Sequence, residues 1–203
     1  MFRISTIKTA VATCAIAFVG FLSAVSPSQA SILPGPNTTI NLAGTSLQQD
    51  ISLRGVVIAK KTVEFRTKYN VAGQIKIWSG YLKQMVVKES ISGKLTFYYQ
   101  LTSNAVSQYP AFGVLFFAGN AQTNYRMGAL DINWRSDMGA GTAPDQVQNV
   151  SSYILFKFTQ GGLTPGSSSR WFYIRTNAVN YALNDQVQLY NTSDAFNIYG
   201  PTP

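Results

Sequence analysis

Asp131 and Asp137, in Leu130-Asp-Ile-Asn-Trp-Arg-Ser-Asp137, are the carboxylates best placed to break a bond. Two acids flanking a glycosidic bond can divide general acid and general base or nucleophile roles. Trp134 between them offers a ring that stacks on a sugar face. The same acids read more simply as ordinary strand-end and turn residues, and eight acids in 203 residues are too few to make the pairing persuasive. Other chemistries fail on composition. The chain contains no histidine, the usual general base and commonest metal ligand, so Ser-His-Asp and Cys-His arrangements are excluded. Its one cysteine, Cys14, lies in an apolar N-terminal stretch. A zinc site would need carboxylates alone. Asp194 or the Asp131/Asp137 pair could serve calcium, but without the spacing of a calcium loop. No phosphate-cradling glycine motif is present. The expectation is a non-enzymatic protein with no cofactor and no metal.

Aromatic and cationic side chains are what remains for recognition. With 12 Phe, 11 Tyr and 3 Trp, most rings belong in a core and in cross-strand pairs. Trp78, Trp134 and Trp171 are the candidates for a stacking platform, with Arg170 and Arg175 flanking Trp171 as ligand-binding cations. The formal charge of +8 is uneven. Arg54, Lys60, Lys61, Arg66, Lys68, Lys76, Lys83, Lys88 and Lys94 face only Glu64 and Glu89 within residues 54–94, whereas 95–203 are balanced. That half would attract an anionic polymer or surface. Spread singly along strands, the same charges also keep strand edges from pairing.

Three segments organise the chain. Residues 1–30 read as a secretory signal: Arg3 and Lys8, an apolar stretch from Ala10 to Val25, and Ser28-Gln29-Ala30 as a cleavage site after Ala30. The apolar run falls short of the roughly 20 residues a bilayer requires. Loss of Arg3 and Lys8 leaves +6, and the only cysteine goes with the signal. Residues 31–50 read as an extended lead with a possible edge strand at Thr39–Leu42. Residues 51–203 read as one domain.

Period-two patterning dominates that domain. Thr62–Tyr69 sets Val63, Phe65, Thr67 and Tyr69 against Glu64, Arg66 and Lys68. Gln74–Trp78 alternates likewise, with Ser79-Gly80 expected as a break. Tyr81–Val87, Lys94–Leu101, Phe112–Ala118, Arg126–Trp134, Ser151–Thr159, Trp171–Ile174, Gln186–Tyr190 and Ala195–Tyr199 continue the series, with Glu89–Gly93 as a turn. No window shows a capped 3.6-residue period. Ten to twelve short strands predict an all-β, antiparallel two-sheet sandwich, immunoglobulin-like or jelly-roll, with a closed barrel as the other option. Glycosylation sequons stand at Asn37, Asn149 and Asn191.

Gly161–Tyr181 joins a Gly/Pro/Ser turn to the strand Trp171-Phe-Tyr-Ile174 and a polar loop. Its Gly162-Leu-Thr-Pro-Gly-Ser-Ser-Ser-Arg-Trp-Phe-Tyr-Ile-Arg-Thr-Asn-Ala178 resembles a segment of secreted bacterial proteins with a PEP-CTERM sorting tail. Gly93-Lys-Leu-Thr-Phe-Tyr-Tyr-Gln-Leu-Thr102 is similar to a strand of the same ectodomains. The chain ends Tyr199-Gly-Pro-Thr-Pro203, without the Pro-Glu-Pro, apolar helix and basic tail of that family. The resemblance implies an extracellular surface or matrix role and brings no catalytic residue. The leading expectation is a secreted structural or adhesive protein of a cell surface or biofilm matrix, with possible self-association through edge strands. The alternatives are a glycan-binding module for an acidic polysaccharide and a membrane-active β-protein. Nucleic acid is not an expected partner.

Overall fold

Two strands of unusual length form the spine of one sheet. The computed structural model describes residues 37–117, 129–150, 153–190 and 195–202. In it β2 (Gly55–Val71) and β3 (Gln74–Glu89) pair antiparallel from end to end. Ala72 (φ 51°) and Gly73 (φ 81°) join them in a two-residue turn. Positive φ at both central residues marks the type I′ turn, whose twist matches that of the strands it links.

The remaining strands are β1 (Thr38–Asn41), β4 (Leu95–Ser103), β5 (Gly113–Phe117), β6 (Ala129–Trp134), β7 (Gln146–Val150), β8 (Tyr153–Lys157), β9 (Phe172–Thr176), β10 (Ala182–Tyr190) and β11 (Ala195–Thr202). They form an antiparallel six-stranded sheet, β1-β7-β8-β5-β10-β11, and an antiparallel five-stranded sheet, β2-β3-β4-β9-β6. Among the described residues the helical element is a single 3-10 turn, Ile51–Leu53, capped by Asp50. Leu82, Phe97, Phe172 and Ile174 of one sheet share a buried cluster with Val147, Phe156, Val187 and Leu189 of the other. The protein is therefore an all-β two-sheet sandwich.

The alternating runs land where period two puts them. Leu95, Phe97, Tyr99 and Leu101 face the core, and Glu64, Arg66 and Lys68 are exposed. Three local readings differ. The expected break at Ser79-Gly80 is continuous strand, because a Cβ at Gly80 would lie 2.0 Å from the Thr102 carbonyl oxygen and 2.8 Å from Phe65 Cζ. Glycine inside a strand here marks close backbone approach, not an end. Strand β7 has no clear sequence signature; its Gln146-Val-Gln-Asn-Val150 is too polar and short to stand out. Residues 37–50, expected as an extended lead with a possible edge strand at Thr39–Leu42, carry that edge strand as β1 and otherwise pack on the sandwich. Strand β1 is the edge next to β7, Leu42 enters the core and Leu47 packs on the outer face of the five-stranded sheet.

That outer face decides the position of the site. All of β4 is buried, although only one of its faces meets the inter-sheet core. The segment containing Leu47 and Leu53, with Met138 and Trp171, covers Met85, Val87, Tyr98 and Tyr173 in a second apolar cluster.

Candidate functional site

Beneath this cover lies a chain of charged hydrogen bonds. Glu89, at the end of β3, is buried and takes a two-pronged contact from Arg175 of β9: Nε to Oε1 at 2.6 Å and Nη2 to Oε2 at 2.8 Å. Thr96 Oγ1 donates to the same carboxylate at 2.7 Å and Ser92 Oγ at 2.5 Å. Arg175 also reaches Asp50 at 3.7 Å, and Asp50 caps the 3-10 turn by accepting from Ser52 N at 3.0 Å. Further along, Arg135 grips Asp137 through Nε and Nη2 (2.7 and 2.8 Å) and donates from Nη1 to Tyr98 Oη at 3.1 Å. Asp137 accepts from Leu47 N at 2.9 Å, tying the covering segment down. Tyr173 Oη donates to Asp131 Oδ2 at 2.7 Å.

Two adjoining hollows run over β3, between β2 on one side and the covering loops on the other. One, of about 480 Å³, is bordered by Leu53, Arg54, Val57, Val87, Tyr98 and Asp137, among others. The next, of about 260 Å³, is bordered by Lys60, Lys61, Thr62, Lys83 and Trp171. Met85 and Met138 belong to both, so the two form one groove. From Val87 to Lys83 it follows four residues of strand, roughly 13 Å. Asp137, its one acid, is held by Arg135, and Arg54, Lys60, Lys61 and Lys83 leave the groove positive.

Of the five ligand-binding candidates, Trp171 alone borders this groove. Trp78 is fully buried, edge-on to Phe65 with ring centres 5.3 Å apart, and presents no face to a ligand. Trp134 borders a separate hollow of about 360 Å³ with Leu42, Pro144 and Phe158. Arg170 lies over its ring at 5.3 Å and donates to the Ser136 and Gly139 carbonyls, bracing the loop. Arg175 is engaged by Glu89 and Asp50. Asp131 and Asp137 are engaged separately: Asp131 is buried and accepts from Tyr173 Oη, and Asp137 is clamped by Arg135 beyond the far end of β6. Among the described residues no three His, Cys, Asp or Glu side chains cluster to hold a metal; Asp194 lies outside them. Of the sequons, Asn37 is exposed, Asn149 is buried in β7 and Asn191 lies outside the described residues. Sequence reasoning missed Met85, Met138 and Tyr98. The basic alternation of β2 and β3 was the available signal for Lys60 and Lys83.

Comparison with protein-family models, curated proteins and solved structures gives no significant match.

Burial pushes the Tyr98 phenol up to about 12, partly opposed by Arg135. Burial, reinforced by the neighbouring Asp131 carboxylate, pushes Tyr173 higher still. Between pH 10 and 12 the unfolded chain releases these two protons while the folded chain keeps them. Stability is then complete below pH 10 and falls as pH rises, by about 1.4 kcal/mol per pH unit for each tyrosine. Urea unfolding at stepped pH should show this decline above pH 10, with Tyr98→Phe removing about half of the slope. A denaturation midpoint flat to pH 11.5 would contradict the burial of these phenols.

Proposed function

We propose that this is a secreted, non-catalytic protein of the cell surface or extracellular matrix that binds an acidic polysaccharide in the groove over β3. The observation that carries the reading is the groove itself: an elongated, net-positive trough with Lys60 and Lys83 along one side and Trp171 on the other. Cross-strand and diagonal neighbours in a sheet lie roughly 5–8 Å apart, so Lys60, Thr62 and Lys83 offer successive polar contacts to a repeating anionic chain. Trp171 adds an apolar ring for a pyranose face. The Arg3, Lys8 and Ala10–Val25 pattern supports export.

Assembly through edge strands is a weaker reading. The edge strand β2 carries Lys60, Lys61, Arg66 and Lys68 and a bulge between Val57 and Ala59, features that blunt strand-to-strand pairing.

The test is affinity electrophoresis through gels containing alginate, polygalacturonate or neutral dextran. Retardation is expected in the two acidic gels only, weakening with salt. Lys60→Gln and Lys83→Gln should each weaken binding about tenfold, the worth of one charge-assisted hydrogen bond at ~1.5 kcal/mol. Trp171→Ala should weaken it by a similar factor. Equal mobility in all three gels would remove the proposal.

A further inference from the structure

Eight large apolar side chains stand out as exposed among the described residues, and six gather at one end of the five-stranded sheet. They are Ile51, Val56, Val57, Ile58, Ile91 and Val179, from 41% exposed at Val57 and Ile58 to 68% at Ile91. The topology brings them together. That end holds the start of β2, the end of β3, the start of β4 and the end of β9. Ile51 lies in the 3-10 turn just before β2, Ile91 in the β3–β4 turn and Val179 in the loop after β9. Ser90 N donates to Arg54 O at 2.8 Å and Leu95 N to Ala178 O at 3.0 Å, fastening these segments side by side. The bulge between Val57 and Ala59 breaks the alternation of β2. Three consecutive aliphatic residues are thereby all left in solvent, where a regular strand would turn every second one inward.

Charge distinguishes this end from a patch awaiting a protein partner. Arg54 and Lys88 are exposed and Lys94 is half-exposed beside the aliphatics, and Lys60 and Lys61 follow on β2. The two acids at this end, Asp50 and Glu89, are both taken by Arg175. Beside neutral Ser90, Ser92 and Asn177, what faces solvent there is aliphatic and cationic. A surface that inserts apolar side chains shallowly while cations meet phosphate headgroups has this composition.

We propose that this end of the sandwich docks on a bilayer bearing anionic phospholipids. Ile51, Val56, Ile58 and Ile91 enter the headgroup region, and Arg54, Lys88 and Lys94 contact the lipid phosphates. The patch adjoins the polysaccharide groove and shares Arg54 and Val57 with it, but Trp171, Lys83 and Met138 take no part in it, and Val56, Ile58, Ile91 and Lys88 do not border the groove.

Sedimentation with vesicles tests it, using phosphatidylglycerol–phosphatidylcholine mixtures against phosphatidylcholine alone. The full protein should pellet with the anionic vesicles at low salt and stay in solution with the neutral ones. Val56→Ser and Ile91→Ser, both at highly exposed positions, should each lower the partition coefficient on the order of tenfold. Lys88→Gln and Lys94→Gln should each lower it about fivefold. Trp171→Ala should leave vesicle binding unchanged while weakening retention by polygalacturonate, so the two readings fail separately. No pelleting with anionic vesicles would overturn the proposal. So would pelleting that survives both serine substitutions, since that would be adsorption by charge alone.

Discussion

Arg175→Met is expected to lower the free energy of unfolding by about 3–5 kcal/mol, the cost of removing one partner of a buried ion pair. Glu89 has a fully buried side chain, so without Arg175 its carboxylate is charged, desolvated and left with the Thr96 and Ser92 hydroxyls. Adding Glu89→Gln to that variant should restore much of the loss, because a neutral amide needs no counter-charge. In guanidinium unfolding the midpoint should fall at constant slope in the single variant and recover in the double one, a coupling that a double-mutant cycle reads directly. A loss under 1 kcal/mol in Arg175→Met would mean that the pair is solvated. The damage should also spread. Arg175 holds Asp50, which caps the turn bearing Leu53, a wall of the groove. The same substitution should therefore weaken polysaccharide retention even where the protein is folded.

Why Arg175 becomes a structural residue while its sequence suggested a ligand contact shows what one dimension conveys. Alternation along β4 and β2 gives the core face because burial against the opposite sheet has the period of the strand itself. It is silent about the outer face, whose cover comes from residues 45–54 and 136–139, distant in sequence. Lys94, Thr96, Tyr98 and Gln100 look like a solvent face, yet the last three are buried. The acid that claims Arg175 sits 86 positions away, and no local pattern links the two. The three tryptophans divide for the same reason. Trp78 and Trp171 are each flanked by a strand pattern, but Trp78 falls inside the sandwich core and Trp171 beside a loop that leaves it half-exposed.

The tip of the β2–β3 hairpin shows a related failure. Gln74-Ile-Lys-Ile-Trp78 alternates, yet Ile75 is 70% exposed and Trp78 is buried. Strand β4 pairs with β3 only from Gly80 onward, so near the turn the hairpin runs past the sheet that would cover Ile75. Period two says which residues share a face; how far the neighbouring strands extend decides whether that face has anything to cover it.

Phe172→Ala is expected to cost about 3–5 kcal/mol, a large part of the 5–15 kcal/mol that holds a domain together. Its ring is fully buried and meets Tyr99 at 5.9 Å in the same sheet, and Phe156 at 4.7 Å and Phe158 at 6.4 Å across the sandwich. Alanine would remove the contact that joins β9 to β8 and leave a cavity between the sheets, since the surrounding rings cannot collapse into it without dragging their strands. Phe172→Leu fills most of the space and should cost about 1–2 kcal/mol. Val179→Ala, on the exposed loop beyond the same strand, should stay within about 0.5 kcal/mol of the parent. Urea midpoints for the three variants test the ordering. A Phe172→Ala loss no larger than that of Phe172→Leu would show that the two sheets are held elsewhere, and would place the centre of the core nearer Leu82 and Val86.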